Sequence, residues 1–490
     1  MKRVRVAAIV LFVLLGLTAL QPSGADHVDG ATTIRVTGGT DSTISLAWEH
    51  NGAVRYDVYA FKHGASSDFF LYAYYPASDP GSNTPTLYSL TPATWSFKLL
   101  SDYADDAHDH WSNTVTVDVP YTGGTPTTTT TTTPPSPNAC DINPANDYAA
   151  IEAAIASCPD GPSAENRTVI RFPVNATYSL ADKVDIVKRQ NIVIDGRSST
   201  FTATWPQTPD SLRSNFMLFK ARNTTVRNVN MVGTFNPDPA IYPKRQIMSH
   251  YCEAQAGVVF YGGVNVTVED SSAYRTCGDG FGGHRSEIYS DNYGPVGEAK
   301  EVPTNITFQR LRSKTVARMC WGPTSGVGIM VVDNDCEDAW YGGIDIEKDA
   351  YEPVKDVEIA RNRFRHFNIY GVMIPVGSTP EGPNDNIRVY DNVFETPPDN
   401  KCYPSVWIGS AQYDRSMRFT NVHTYGNTIY AIGAAVAYNY VDGGSIHHNT
   451  VHRLPTTGGG TVLQECGWGA EIFVLNDSTN VAVYDNTVVG

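Results

Sequence analysis

The chain has 490 residues, with 51 acidic against 36 basic side chains and a formal net charge of −15. Only 18% of residues are charged and no basic stripe stands out, which argues against a nucleic-acid partner. With 41 Gly and 27 Tyr, the composition favours turns and strands over helical bundles, spread over more than one domain.

Lys2, Arg3 and Arg5 precede an apolar run from Val6 to Leu20, and Ser23-Gly24-Ala25 supplies small residues for cleavage. That is the pattern of a secretory signal peptide over residues 1–25, with a membrane anchor as the competing reading. No second apolar stretch is long enough to span a bilayer, so the remainder is expected to be secreted, extracellular and off the membrane. All 8 cysteines fall between Cys140 and Cys466 without the CxxC spacing of a zinc site, which suits disulfides formed outside the cell. Cys140 with Cys158 and Cys252 with Cys277 are the near neighbours, although spacing leaves the connectivity open.

Residues 30–120 alternate apolar and polar side chains in short runs, among them Thr43-Ile44-Ser45-Leu46-Ala47-Trp48, Tyr56-Asp57-Val58-Tyr59 and Thr114 to Val119. Such runs, broken by Gly, Pro, Asn and Asp, predict a β-sandwich. Through Trp48, Leu90-Thr91-Pro92-Ala93-Thr94 and the closing strand, the segment resembles a fibronectin type III domain. It departs from that family in carrying Trp95 near the place of the corner tyrosine. Residues 121–139, YTGGTPTTTTTTTPPSPNA, cannot bury a core and read as an extended linker.

Beyond the linker, Tyr148 to Ala156 has the composition of a short helix, followed by brief strands at Thr168 to Phe172 and Asn191 to Asp195. A capping helix before a ladder of strands covers what would otherwise be an open first edge. Next comes a repeat. Val331, Ile359, Val389, Ile446 and Val483 each precede by three positions an asparagine: Asn334, Asn362, Asn392, Asn449 and Asn486. Two positions after each asparagine stands Cys336, Phe364, Phe394, Val451 or Val488, with Thr424, Asn427 and Ile429 as a weaker copy. Irregular spacings of 22 to 37 residues are those of stacked coils with loops of variable length.

A second register aligns Phe281, Met319, Ile344, Val372, Val406, Val436 and Ile472 as the first residues of one strand per coil. First and third residues should point inward, second and fourth outward. Residues 140–490 thereby resemble the pectin-lyase-like family, which implies an all-β chain: a right-handed parallel β-helix preceded by the β-sandwich. The resemblance also implies polysaccharide hydrolases, lyases, uronate epimerases or phage tailspikes as functional relatives.

In this register Asp345 and Glu347 face outward on one strand, their α-carbons roughly 6.6 Å apart, as the carboxylate pair of a glycosidase can be. A solvated strand face is the plainer alternative. Two coils earlier, Cys277-Gly278-Asp279-Gly280-Phe281-Gly282-Gly283-His284-Arg285 sets Asp279 and His284 among glycines that would admit a polymer. Each also has an ordinary reading, as a turn residue and a surface histidine. Arg285, Arg318 and Lys348 either balance the acids or hold a carboxylated sugar. Trp407 and Tyr440 are candidate stacking subsites. The adjacent aspartates and Gly-His-Gly segment of the polygalacturonase-like subfamily are approached only by Gly278-Asp279-Gly280 and Gly283-His284-Arg285, so those roles do not transfer.

The expected function is a secreted polysaccharide hydrolase, with Asp345 and Glu347 as catalytic pair, Asp279 and His284 as supporting catalytic groups, and Arg285, Arg318, Lys348 and Trp407 as substrate contacts. No cofactor is required in that reading. The alternatives are a calcium-dependent lyase or epimerase, with Asp349 and Glu352 as oxygen ligands, and a non-catalytic carbohydrate-binding or adhesion protein. The polymer and the oligomeric state are not encoded legibly. Gly490 directly follows a repeat strand, which raises a fragment or a subunit contact as expectations. No HExxH, GxxxxGK[ST] or GxSxG occurs.

Overall fold

The computed structural model describes residues 34–39, 44–48, 55–62, 70–76, 86–87, 93–102, 110–111, 115–119, 138–205, 213–237, 255–286, 301–347, 353–376, 384–396, 403–410, 418–454, 471–475 and 478–490. The expected signal segment, most of the linker, Cys252, Lys348, Asp349 and Glu352 lie outside these residues. No described helix is long and apolar enough to cross a membrane.

The N-terminal region is a two-sheet sandwich. Arg35–Gly39, Ile44–Ala47 and Thr86–Leu87 form one antiparallel sheet, and a second contains Arg55–Lys62, Phe70–Pro76, Ala93–Asp102, His110–Trp111 and Val115–Val119. The apolar members of the alternating runs meet between them: Leu46 and Trp48 from the first sheet's side pack with Tyr56, Val58, Phe97, Leu99 and Val115. Trp48 leans on the Tyr56 ring at 5.5 Å.

From Ala139 onward the chain winds into a right-handed parallel β-helix. A typical coil contributes three strands, for example Val264–Glu269, Ser272–Tyr274 and Asp279–His284, and each pairs in parallel with its counterpart one coil later at Thr304–Gln309, Arg312–Lys314 and Met319–Pro323. Parallel neighbours joined by crossovers adopt the right-handed sense because strand twist permits compact return only that way. The helix Tyr148–Ser157 covers the first coil, turning Ile151 (0% exposed) and Ile155 (2%) into the interior. A Cys140–Cys158 disulfide ties its C-terminal end to the strand Ala139–Asp141, the pairing that spacing suggested. Cys277 is also disulfide-bonded, and none of the described cysteines is free. A Cys320–Cys336 bridge joins two walls of the interior.

The repeated asparagines form a buried ladder. Asn392 Oδ1 accepts the Asn362 backbone N–H at 2.9 Å and its Nδ2 at 3.0 Å, while Asn392 Nδ2 donates to the Ile359 carbonyl and to Asn427 Oδ1. The same pattern runs from Asn334 to Asn486, through the weak copy at Asn427. A turn needs its inward N–H groups satisfied away from water, and an amide side chain that both donates and accepts does so coil after coil. Asn392→Ala orphans two donors on Asn362, and at about 1–3 kcal/mol per orphaned group it should lower stability by at least about 2 kcal/mol in urea unfolding. A change within about 0.5 kcal/mol, typical of a surface position, would mean the ladder does not hold the turns.

The second register appears as a ten-stranded parallel sheet containing Asp279–His284, Met319–Pro323, Gly342–Asp345, Val372–Val376, Val406–Ser410, Val436–Asn439 and Ile472–Leu475 in order. One coil departs from the expected alignment by two residues. Phe281 pairs with Trp321, not Met319, and Trp321 with Ile344. The cause is local: Cys320 turns inward to its disulfide, and the next residue, Trp321, also points inward, edge-on to Phe364 at 6.1 Å. The two-residue shift leaves Gly322 facing out as expected, whereas Cys320, expected to face out, is turned into the interior by its disulfide.

Candidate functional site

The site lies on the outer face of the ten-stranded sheet, where three neighbouring coils present Gly282, Gly322 and Asp345 in one register row. Ile344 and Ile346 are fully buried in the interior, so alternation turns Asp345 and Glu347 outward. The two acids nevertheless differ. Asp345 is 5% exposed within its strand, whereas Glu347 is exposed, past the strand end.

Asp279 begins its strand and is 3% exposed. Its Oδ1 accepts the Met319 backbone N–H at 3.1 Å, and Arg318 Nη1 lies 3.6 Å from the same oxygen. Its Oδ2 sits 2.1 Å from where a β-carbon on Gly322 would stand. The carboxylate thus fills the place of Gly322's missing side chain. That place is one strand spacing, roughly 4.8 Å, from the equivalent place on Asp345, so Asp279 Oδ2 comes within about 7 Å of the Asp345 β-carbon. Two acids distant in sequence, on the coils either side of a bare glycine, are brought toward each other.

His284 pairs in register with Tyr261 and stacks on its ring at 5.3 Å. Its Nε2 lies 3.5 Å from the open β-position of Gly282. Burial, and then the positive charge of Arg318, hold the imidazole down to a pKa of about 4. It is therefore neutral near pH 7, able to donate and accept one hydrogen bond each. Arg318 is 7% exposed and anchored through its own backbone, donating to Gly278 and accepting from Tyr341. Arg285 follows His284 and is partly buried.

Three tyrosines that sequence reasoning passed over complete the surroundings. Tyr341, next to Gly342, has its phenol pushed up to about 12 by burial and then by the charge of Asp345, against an opposing effect from Arg318. Tyr370 is raised by burial, then by Tyr403, Tyr341 and Asp345. Its ring stacks on Trp407 at 5.3 Å and meets Tyr403 edge-on at 5.2 Å. A signal for them exists in the sequence, because each stands two or three residues before the first inward residue of its strand, Ile344, Val372 or Val406. Trp407 is half-buried in the row of Asp345. Tyr440, by contrast, is 5% exposed at a turn with φ 59°, so it offers no ring face to a sugar. Among the described residues no group of three or more metal-ligating side chains converges.

No protein-family profile and no curated protein sequence matches the chain. Solved structures do. A family 28 exopolygalacturonase of Yersinia enterocolitica is similar at 12% identity over 94% of this chain and 99% of that one, with a TM-score of 0.36. The surface protein and adhesin PfbA of Streptococcus pneumoniae is similar at 11% identity over 71% and 100%, with a TM-score of 0.42. An endo-xylogalacturonan hydrolase of Aspergillus tubingensis is similar at 10% identity over 71% and 93%, with a TM-score of 0.41. An adhesin and two hydrolases stand side by side at these scores, and none bears on what this chain does.

The glycine at 322 makes its own prediction. A methyl group there would occupy the space of the Asp279 carboxylate, so Gly322→Ala is expected to push that group aside and, on the hydrolysis proposed below, to cut turnover at least tenfold. Urea unfolding and kcat on a cleaved substrate check it together. Unchanged kcat in a folded variant would mean that the position of Asp279 does not matter.

Proposed function

We propose that the chain is a secreted polysaccharide-acting enzyme, a glycoside hydrolase whose carboxylate pair is Asp345 with Asp279. The observation that carries this reading is the Asp279 carboxylate standing over Gly322, one strand from Asp345. Asp279 accepts a backbone N–H and faces Arg318, an environment suited to a carboxylate that takes a proton from attacking water. Asp345, between Asp279 and Glu347, is placed to hold a proton and deliver it to the glycosidic oxygen as the C–O bond breaks. His284 and Arg318 orient the sugar and the base, Glu347 and Arg285 contact the substrate at the rim, and the tyrosines with Trp407 line the face. The sandwich is proposed to be a fibronectin type III-like module that spaces or presents the β-helix, tethered by the linker at 121–139.

The test incubates the purified protein with neutral and uronate polysaccharides, recording reducing ends alongside the ultraviolet absorbance of unsaturated uronate. Reducing ends without absorbance are expected. Absorbance would instead mean β-elimination, a second reading favoured by Arg318 and Tyr341 beside Asp345. Glycan binding without product would leave an adhesion protein. The hydrolytic reading needs no metal, so activity should survive dialysis against EDTA. Loss of activity there, restored by calcium, would overturn cofactor independence.

A further inference from the structure

The turn that follows Val264–Glu269 is built like those of later coils but is covered differently. Asp270, Arg310, Asp333 and Arg361 take the same left-handed turn position on four successive coils, each directly after residues paired in register. They join two by two. Arg310 Nε and Nη2 donate to Asp270 Oδ1 and Oδ2 at 2.8 and 3.0 Å, and Arg361 does the same to Asp333 at 2.7 and 3.0 Å. Yet the Arg361 side chain is 41% exposed, whereas that of Arg310 is 6%. What reaches the first pair is the sandwich: Lys98 Nζ donates to Asp270 Oδ1 at 2.8 Å, and the Lys98 side chain is itself 12% exposed. Trp95, Phe97 and Leu99 point into the sandwich core, so alternation turns Lys98 to the outer face of Ala93–Asp102, where a lysine normally reaches water.

From this contact we propose that the sandwich docks on the turn edge of the β-helix, with Lys98 as its anchor and Glu269, Asp270 and Arg310 as the seat. Arg310 Nη2 also donates to Glu269 Oε2 at 2.7 Å, so the seat holds two carboxylates and one guanidinium within hydrogen-bonding reach. One negative charge is in excess, and Lys98 supplies the cation that a buried carboxylate needs. The Asp333–Arg361 pair, balanced one to one, makes no such demand. The chain can make the return. Four strand spacings, roughly 19 Å, separate Ala139–Asp141 from Val264–Glu269, and the linker at 121–139 can extend to roughly 60 Å. The docked coil is the one that carries Asp279 and His284, so the sandwich and the candidate site form one body. This inference does not depend on the hydrolytic reading.

Small-angle X-ray scattering on the full chain, with light scattering to fix its mass, tests the docking. The wild type should scatter as one compact monomer. Lys98→Glu sets a third carboxylate against Glu269 and Asp270, and should release the sandwich and lengthen the particle by about 20 Å, the reach of the freed linker. Lys98→Arg should keep the wild-type profile, and Lys98→Met, which keeps the stem and removes the charge, should lengthen the particle part of the way. Lys98 points away from the sandwich core, so calorimetry should find the sandwich folded in all three variants. If Lys98→Glu nevertheless unfolds it, the wild type and Lys98→Met decide. A wild-type particle already extended, or charge-removing variants no longer than the wild type, would overturn the docking. A stable dimer that Lys98→Glu converts to monomer would seat the sandwich on a second copy and overturn docking within one chain.

Discussion

Asp345→Asn is expected to lower kcat on a cleaved polysaccharide by roughly a thousandfold while leaving the protein folded, because an amide of the same shape cannot deliver a proton. The backbone at this position is held by Ile344 and Ile346 on the inner side, so the exchange alters chemistry rather than packing. Asp279→Asn should cost a comparable factor, since it removes the group that takes the proton from water. Glu347→Gln, at an exposed position beyond the strand, should cost less than tenfold. Measuring kcat for the three variants separates the two possible pairs. If Glu347→Gln were as damaging as Asp345→Asn while Asp279→Asn stayed active, the working carboxylates would be the neighbours on one strand.

Legibility followed the range of the interactions involved. The β-helix could be read because its two signals are local and repeated: apolar alternation within a strand, and an asparagine at each turn that hydrogen-bonds to the asparagine of the next coil. Parity could be read for the same reason, so Asp345 was expected outward. The two-residue slip at Met319 could not, because it depends on Cys320 finding Cys336 across the interior. Nor could the reach of Asp279. Its carboxylate arrives beside Asp345 only because Gly322, on another coil, leaves a space for it, and no spacing in the sequence announces that fit. The tyrosines at 341, 370 and 403 are intermediate: their recurrence before successive strands was visible, but it has meaning only once the register is known.

Removing Arg318 should damage stability and the site together. Its guanidinium and the Asp279 carboxylate are both less than a tenth exposed, so Arg318→Leu takes a facing cation away from a buried carboxylate at a cost of about 3–5 kcal/mol. Adding Asp279→Asn should recover much of that loss, because the second change removes the buried charge that Arg318 had faced, and a double-mutant cycle in urea measures the coupling. His284 gives an independent reading. Its folded pKa of about 4 lies below the ordinary 6.5, so between those values the unfolded chain binds a proton that the folded chain refuses. The group's contribution is therefore complete above pH 6.5 and is lost as pH falls toward 4. Burial is the larger cause and Arg318 the second, so without Arg318 the His284 midpoint should move up and the fall in stability between pH 6.5 and 4 should become shallower. The imidazole proton resonance and Tm measured at pH 5 and 7 report these two effects. An unmoved midpoint, with no loss of stability at pH 7, would show that Arg318 does not face Asp279 and His284 in solution, and the charge arrangement assigned to the site would fall with it.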